Sequence, residues 1–339
     1  MIAKKLFIIT EGGKELGFGH ITRTISLSTY FISFGYEIQF LVNGDDSLNE
    51  ILSSYSYKIY NWLHSYETLL QDLKYADLIL LDSMQILDSQ IKQLEALRKP
   101  IIFIDDEKQR NILESGFVID WTVGRDDNNS FFPRKQNVHY FLGSLFTPLR
   151  KEFLNGAKNQ INQNMEKMMI TFGGSDIRNL TPLILEVLKT SFPNIVKDVI
   201  IGGGFNNIEE IKKHTTYNTN LIYNATAQQM IRVMQTSDIA VAAGGQTLYE
   251  LAKIGLPTIG ILVVENAKDD TLGWNKTGFL KYIGRFDNLS LKENLIDAIN
   301  DLSSYARRVQ MQKDGFKHMS QNGTQFLVEH ITKGLNDSI

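Results

Sequence analysis

Along the whole chain, short apolar runs alternate with longer segments in which apolar residues recur every three or four positions. In the first half this pattern predicts strands at residues 6–9, 37–42, 77–82 and 101–104, with helices at 20–34, 45–53 and 88–97. In the second half it predicts strands at 168–172, 198–201, 220–223, 238–242 and 258–263, with helices from about 179, at 227–235, at 247–255 and beyond 291. Continuous apolar strands alternating with helices are typical of parallel sheets covered on both faces, so we predict an α/β protein.

The cycle of strands and helices restarts after a polar stretch in the middle of the chain. Pro148 and the charged residues from Arg150 to Glu152 precede the polar run 158–164, which favours a connector at this point. We therefore predict a Rossmann-like domain at residues 1–146, a linker at 147–166 and a second Rossmann-like domain at 167–320. A C-terminal helix at about 321–339 is expected to pack back on the first domain. The two sheets are expected to face a central cleft.

The composition narrows the classes of function. Among 339 residues, 43% are hydrophobic and the formal net charge is −3, so no general basic field attracts nucleic acid or an anionic membrane. Cysteine is absent, which excludes disulfides and thiolate metal sites and fits a reducing compartment. The sequence contains no apolar run of membrane-spanning length. We expect a cytoplasmic monomer that binds no nucleic acid and does not insert into a membrane.

Glycine-rich turns connect a predicted strand to a predicted helix at three places. These turns are residues 17–23, 173–176 and 244–247, and two of them carry a hydroxyl group, on Ser175 and Thr247. A helix that begins at such a turn leaves backbone N–H groups unpaired at its positive end, which suits a phosphate. The alternative, that the glycines only relieve steric crowding, is the simpler explanation for any one turn. Three such turns in one chain favour phosphate binding.

His20 differs from the other five histidines because it follows Gly17 and Gly19 at the start of a predicted helix. The positive helix end disfavours imidazolium, so the ring stays neutral and able to accept a proton. We predict that His20 is a general base, with helix capping as the alternative. No histidine pair has metal-ligand spacing, and Thr22 stands where the third glycine of a dinucleotide fingerprint belongs. We expect neither a metal nor a cofactor.

Several acidic residues stand at positions where a ligand could reach them. Asp82, Asp105 and Asp106 end predicted parallel strands, on the edge where open α/β sheets bind ligands. Glu250 comes one helical turn after Thr247, where its carboxylate could reach a ribose hydroxyl. Each of these acids could equally cap a helix or a loop.

A set of motifs occurs here in the same order as in the UDP-sugar hydrolases of the pseudaminic acid pathway, and the chain resembles that family over roughly residues 5 to 280. The motifs are Gly-Phe-Gly-His-x-x-Arg at 17–23, Phe-Ile-Asp-Asp-Glu at 103–107, Leu-Arg-Lys-Glu-Phe at 149–153 and Gly-Gly-Ser-Asp-Ile-Arg-Asn-Leu at 173–180. The later run at 237–251, with Gly-Leu-Pro at 255–257, resembles that family and its glycosyltransferase relatives.

The resemblance implies the two-domain GT-B fold of the glycosyltransferase that makes lipid II. It also implies a metal-independent hydrolase that removes UDP from a diacetamido-trideoxy hexose with inversion at C1, and it places the catalytic histidine at His20. The nucleotide contacts that it implies are Gly173, Gly174, Ser175, Asp176, Gly245, Gln246, Thr247 and Glu250. We assign Gly17, Gly19, Arg23, Asp105 and Asn266 to the substrate side, and expect Arg23 to steady the helix or the cleft wall.

Two departures from the family leave the identity of the sugar open. Residues 10–14 replace an Arg-x-Asp pattern that usually follows the first strand, and Ala267 follows Asn266 where the family has glutamine. A UDP-sugar hydrolase is therefore our first hypothesis. A GT-B glycosyltransferase that transfers the sugar to an acceptor hydroxyl is the second, and a binding protein that has lost the chemistry is the third.

Overall fold

The computed structural model describes residues 3–106, 110–125, 134–158 and 160–337. Glu107, the last residue of the second motif, lies outside the described residues, as does Asn159 in the polar run. The chain divides into two compact units. Unit 1 comprises Met1–Leu149 and Gln321–Ile339, and unit 2 comprises Arg150–Ser320.

Unit 1 contains a parallel sheet whose strands lie in the order β3-β2-β1-β4-β5-β6-β7. Its strands are Lys4–Gly12 (β1), Tyr36–Gly44 (β2), Ser56–Ile59 (β3), Leu78–Asp82 (β4), Ile101–Ile104 (β5), Gly116–Asp120 (β6) and Val138–Leu142 (β7). Its first helices are Gly19–Ser33 (α1), Asn49–Leu52 (α2), Tyr66–Leu73 (α3) and Asp88–Glu95 (α4). The strand order reverses between β1 and β4, where Ile8 pairs with Phe40 on one side and Leu80 on the other. Ligands bind at such a switch point in open α/β sheets.

Unit 2 repeats this architecture with strands in the order β10-β9-β8-β11-β12-β13, all parallel. Its strands are Lys167–Thr171 (β8), Val196–Ile201 (β9), Thr219–Tyr223 (β10), Ile239–Ala243 (β11), Thr258–Leu262 (β12) and Leu280–Arg285 (β13). Its helices are Leu180–Ser191 (α5), Ile208–His214 (α6), Ala227–Thr236 (α7), Gln246–Ile254 (α8), Lys268–Thr277 (α9), Leu291–Leu302 (α10) and Tyr305–His318 (α11). The predicted α/β class with two parallel sheets is confirmed.

The last helix, Gly323–Asp337 (α12), packs against α1 within unit 1. Two side chains fix its start. Asn322 Nδ2 donates a 2.7 Å hydrogen bond to the Tyr30 hydroxyl, and the Thr324 hydroxyl accepts one of 3.0 Å from the Leu149 N–H. The end of the chain therefore stabilises the helix on which His20 lies.

Apolar side chains are buried on both faces of each sheet, because the central strands are continuous apolar runs. All four residues of β5 are buried, and the fully buried Trp62 donates its Nε1–H to the Thr10 carbonyl at 3.0 Å. In the described part of the chain, no helix combines the length and the apolar character needed to cross a lipid bilayer.

Candidate functional site

A short loop carries the chain from the end of β1 to the start of α1. Gly13 and Gly17 exchange backbone hydrogen bonds of 2.9 and 2.8 Å, which close residues 13–17 into a tight turn. Gly17 has a φ of +79°, which favours glycine, whereas Gly19 does not require one. A Cβ atom on Gly19 would meet nothing within 4 Å, so glycine here keeps the surface beside His20 open.

His20 is the second residue of α1 and is bound to the carboxylate that ends β4. Its Nδ1 lies 2.8 Å from Asp82 Oδ1, and Asp82 is fully buried. A carboxylate accepts hydrogen bonds only, so Nδ1 carries the hydrogen and donates it. This tautomer leaves the lone pair on Nε2, which is therefore the basic atom of the ring.

Arg23 holds the same carboxylate from its other side. Its Nε donates to Asp82 Oδ2 at 2.8 Å, its Nη2 donates to Asp82 Oδ1 at 2.5 Å, and its Nη1 donates to Asp106 Oδ2 at 2.8 Å. The guanidinium carbon lies 4.9 Å from the ring centroid of the buried Trp121. Arg23 Nη2 lies 3.0 Å from His20 Nδ1, because both nitrogens donate to the same atom, Oδ1 of Asp82. These contacts hold the Arg23 guanidinium between the carboxylates of Asp82 and Asp106.

The carboxylates at this edge differ in ionisation. Burial alone would raise the pKa of Asp82, but the charges and hydrogen bonds of Arg23 and His20 outweigh it and hold that pKa below its usual range. Burial raises the pKa of Asp105 to about 7, against hydrogen bonds from the backbone of Asn111 and Arg110. Burial also raises the pKa of Asp106, with Arg23 opposing. Asp82 is therefore a fixed anion, and Asp105 changes charge near neutral pH.

A small cavity of about 10 Å³ opens beside His20, which is room for about one water molecule. It is lined by His20, Arg23, Asp82, Ser83, Met84, Ile104, Asp105, Asp106 and Arg110. The buried Glu11 fixes the segment after β4, because it accepts hydrogen bonds from the Ser83 hydroxyl at 2.5 Å and the Met84 N–H at 2.9 Å. Glu11 lies where the family carries its Arg-x-Asp pattern, and it shapes one wall of the cavity.

A second cavity in unit 1 is much larger, about 630 Å³. It lies at the carboxyl ends of β1 and β2, and its polar lining includes Lys14, Glu15, Asn43, Asp46 and Gln85. Sequence reasoning did not find this cavity, because the lining residues come from separate parts of the chain and form no motif.

In unit 2, the glycine turn after β8 is held by its own carboxylate. Asp176 Oδ1 accepts from the Leu180 N–H at 2.8 Å, and Oδ2 accepts from the Thr181 N–H at 2.9 Å. The N-terminus of α5 is thus already occupied by an anion of the chain. Behind the turn, the Gly174 carbonyl accepts from the Gly204 N–H at 2.9 Å, and a Cβ on Gly202 would lie 2.4 Å from that carbonyl oxygen. Residues 202–204 therefore support the turn by close packing.

The turn after β11 is arranged differently. Gly245 has a φ of +114° and precedes α8, whose first turn carries no acidic residue. A Cβ on Gly245 would meet nothing within 4 Å, whereas one on Gly244 would lie 2.2 Å from Thr271 Oγ1. Gln246 and Thr247 are the first two residues of α8. The positive end of α8 is therefore the better of the two helix ends for an anionic ligand.

Glu250 and Asn266 lie on two elements that flank this turn. Glu250 is buried within α8 and bound to Arg150, with Nε 2.9 Å and Nη2 2.7 Å from its Oε1. Burial raises the pKa of Glu250, and the Arg150 charge opposes that rise. Asn266 is exposed in the short 3-10 helix Glu265–Ala267, whose Ala267 lies against Gly244.

The predicted residues thus fall into two groups. In unit 1 the structure brings together His20, Arg23 and Asp105 behind the Gly17 turn. In unit 2 it places the α8 turn, Glu250 and Asn266 close in sequence and space, and it assigns both carboxylate oxygens of Asp176 to α5. Sequence reasoning singled out Asp82 only as a strand end, and it gave Arg150 no role. Within the described residues, no three histidine or acidic side chains are grouped to hold a metal ion.

Comparison with known proteins gives sequence relatives with low identity. No protein-family model matches the chain. It is 27% identical over 267 residues to an uncharacterized protein of Methanocaldococcus jannaschii, a match that covers 75% of this chain and 55% of that protein. It is 24% identical over 319 residues to the spore coat polysaccharide biosynthesis protein SpsG of Bacillus subtilis, covering 91% and 92%.

A third relative is the pseudaminic acid cytidylyltransferase and UDP-2,4-diacetamido-2,4,6-trideoxy-beta-L-altropyranose hydrolase of Helicobacter pylori. Identity is 26% over 165 residues, which is 47% of this chain and 30% of that protein. This chain thus spans about half the length of the first relative and less than a third of the Helicobacter pylori protein.

Solved structures resemble the chain over nearly its whole length. MurG of Acinetobacter baumannii gives a TM-score of 0.71 at 14% identity, with 97% of this chain and 99% of that chain covered. UGT89C1 of Arabidopsis thaliana, solved in complex with UDP, gives a TM-score of 0.67 at 11% identity, with 97% and 99% covered. These likenesses show the class of fold: the chain has the GT-B fold, as predicted.

Proposed function

We propose that this protein is a nucleotide-sugar hydrolase that removes UDP from a UDP-linked diacetamido-trideoxy hexose, in nonulosonic acid biosynthesis of the pseudaminic type. The observation that carries the proposal is the His20–Asp82 pair. It makes Nε2 the basic atom of a ring that lines a cavity of one-water size in a GT-B chain. The names of the relatives from Bacillus subtilis and Helicobacter pylori, which concern polysaccharide and UDP-sugar chemistry, support it.

His20 would act as the base in a single displacement. A water molecule attacks the anomeric carbon, one of its protons passes to Nε2, and the bond from the anomeric carbon to the diphosphate oxygen breaks. UDP leaves with the electron pair, and attack opposite to the leaving group gives inversion. Asp82 stabilises the imidazolium that forms, because its carboxylate already accepts the Nδ1–H.

The nucleotide contacts are proposed in unit 2. Negative charge grows on the diphosphate as the bond breaks, and the backbone N–H groups at the start of α8 and the Thr247 hydroxyl would stabilise it. UDP is a good leaving group, so the pair of carboxylates used by ordinary glycosidases is not required. We assign Gly173, Gly174 and Ser175 to the same ligand through their backbone, while Asp176 holds the turn. We propose a reaction without cofactor or metal, by a cytoplasmic monomer.

The test is release of UDP from a panel of UDP- and CMP-linked amino sugars, followed by phosphorus NMR with and without EDTA. His20→Ala should lower the rate with the correct substrate about 10²- to 10⁴-fold, the usual contribution of a general base. His64→Ala is the matched control, because His64 is exposed, and it should leave the rate unchanged. A wild-type rate in His20→Ala would exclude His20 as the base.

The second candidate function is a glycosyltransferase with the same base. The cavity of about 630 Å³ at the ends of β1 and β2 favours it, because polar side chains there could hold an acceptor. Turnover that needs an added acceptor, with none in water alone, would select this function over hydrolysis. Binding of UDP-sugars without turnover on any substrate would favour the third hypothesis, a binding protein.

A further inference from the structure

Asp106 follows β5 and is bound to the arginine that holds Asp82, but the proposed function gives it no role. Arg23 Nη1 donates to Asp106 Oδ2 at 2.8 Å, and Arg23 Nη2 lies 3.3 Å from Asp106 Oδ1. The side chain of Asp106 is 10% exposed and that of Arg23 is 9% exposed, so water screens this pair only weakly. The guanidinium thus joins two acids at the ends of the adjacent strands β4 and β5.

The contacts of Asp106 suit its ionised form. Both of its oxygens face donors of the guanidinium, and an ionised carboxylate only accepts hydrogen bonds. Burial raises the pKa of Asp106, while the charge of Arg23 opposes that rise and a charge on His20 opposes it as well. The coupling is mutual: a proton on the ring of His20 favours the Asp106 anion, and that anion favours a proton on the ring.

The three charged groups beside His20 form a cluster of Asp82, Arg23 and Asp106. Asp82 and Arg23 carry opposite charges, so by themselves they give an imidazolium no net counter-charge. The guanidinium lies close to the ring, with Nη2 3.0 Å from Nδ1, and its charge disfavours a proton there. Asp106 makes the net charge of the cluster negative, and this charge is neutralised when His20 takes up a proton.

Other charged groups face this cluster from β6 and from the segment after β5. Burial raises the pKa of Asp120 to about 6, and the charge of Arg125, 3.4 Å away, opposes that rise. Burial raises the pKa of Asp105 to about 7, and the charge of Arg110 opposes it. Within the described residues, each of these acids has its own arginine, whereas the two acids of the cluster share one.

We infer that Asp106 is a positioning residue that acts on His20 through Arg23: it offsets the charge of the guanidinium, so that Asp82 can stabilise the imidazolium that forms when Nε2 takes a proton. This inference rests on the proposed function, in which His20 is the base. It adds that the basicity of His20 is set by a second carboxylate, one strand away from the first.

NMR of the imidazole groups measures the pKa of His20 without a substrate, and the loss of one signal in His20→Ala assigns it. In Asp106→Asn this pKa should fall by about one pH unit, because one negative charge is lost while the guanidinium remains. Asp106→Ser, a second neutral replacement, should give the same fall, and Asp106→Glu should restore most of the wild-type value. Asp72→Asn is the control, since Asp72 pairs with the exposed Lys58 on another part of unit 1, and it should leave the pKa of His20 unchanged.

Asp105 and Asp120 cannot imitate this result. The charge of Asp106 raises the pKa of each, so its loss favours their ionised forms. The added negative charge would raise the pKa of His20, against the expected fall. The titration is therefore repeated with Asp105→Asn present, where Asp105 has no charge to add. An unchanged pKa of His20 on adding Asp106→Asn, with and without Asp105→Asn, would overturn the inference.

Kinetics with the correct substrate separate this role from a structural one. As pH rises, kcat/KM increases because His20 loses its proton, and in Asp106→Asn this limb should move to lower pH by about one unit. The plateau should fall about three- to tenfold, because the ring is a weaker base. A lower plateau with an unmoved limb and no recovery in Asp106→Glu would show that Asp106 serves only the structure. A lowered pKa of His20 in a protein that hydrolyses no sugar nucleotide would support the charge effect and reject the proposed function.

Discussion

Two buried carboxylates, Asp82 in unit 1 and Glu250 in unit 2, are each paired with an arginine, but they use their oxygens differently. Both oxygens of Asp82 are occupied, by Arg23 and by His20. Among the described residues, Glu250 is contacted through one oxygen, Oε1, by Arg150. A carboxylate that accepts hydrogen bonds on both oxygens is fixed in place and can in turn orient a neighbouring base, whereas one held through a single oxygen is less constrained.

The two turns at the starts of helices differ in the same way. Asp176 binds the N-terminus of α5 with both carboxylate oxygens, whereas the first turn of α8 carries no acidic residue. In unit 2, the start of α8 therefore has no acidic residue beside it, whereas the start of α5 does. This difference is why we propose the main diphosphate contacts at the start of α8.

The largest expected effect comes from replacing each carboxylate by its amide. Asp82→Asn leaves the Arg23 charge without its main partner and disturbs the tautomer of His20, so we expect kcat to fall about 10³-fold and the free energy of unfolding to fall by about 3 kcal/mol. Glu250→Gln should cost only about 1 kcal/mol in unfolding, because Arg150 retains an amide oxygen as acceptor and is partly exposed.

Steady-state kinetics and urea unfolding measure these effects. Asp301→Asn is the control, since its ion pair with Lys281 is exposed, and it should change unfolding by less than 1 kcal/mol. Equal loss of stability in Asp82→Asn and Glu250→Gln would remove the distinction between the two carboxylates.

The free energy of unfolding should depend on pH through Asp105, by a few kcal/mol. Asp105 is a third buried carboxylate, and it accepts a hydrogen bond from the Asn111 N–H at 3.1 Å. Its pKa of about 7 lies above the unfolded value of about 4, so the folded state holds a proton that the unfolded state has released between these values. Stability is therefore lost as pH rises from about 4 to 7, by about 1.4 kcal/mol per pH unit at most.

Asp105→Asn has no such proton to lose. Urea unfolding at pH 5 and pH 8 should show the stability of the variant rising relative to wild type as pH increases. A constant difference between the two proteins would show that Asp105 does not titrate in this interval.

The smallest expected effects on stability concern Gly245 and Gly19, two glycines at which an added Cβ would meet nothing within 4 Å. Gly245→Ala forces a φ of +114° on alanine and should cost about 1–3 kcal/mol, besides weakening UDP binding at the start of α8. Gly19→Ala needs no strained backbone, so its stability should stay within about 1 kcal/mol of wild type. Its kcat/KM should nevertheless fall, because the Cβ covers open space beside His20. Thermal unfolding and kinetics check both variants, and greater destabilisation by Gly19→Ala would contradict this account.

Much of the fold followed from the sequence because its central strands are continuous apolar runs. The prediction at 101–104 coincides with β5, the one at 77–82 begins one residue before β4, and the one at 168–172 is shifted by one residue from β8. Strands β3, β6, β7 and β13 were not predicted. The mixed polarity of β3 and β13 reflects their places as edge strands with one neighbour each, where burial is incomplete.

The sequence by itself determined that two parallel sheets form, that glycine turns precede helices, and that His20 stands at a helix start. Local periodicity and turn chemistry are sufficient for these features, because each depends on residues close together in the chain. Only the tertiary structure decided the partners. Asp82 is 62 residues from His20, and Glu250 is 100 residues from Arg150. Such pairs depend on which strands lie side by side and on how helices pack against them, and no local pattern carries that information.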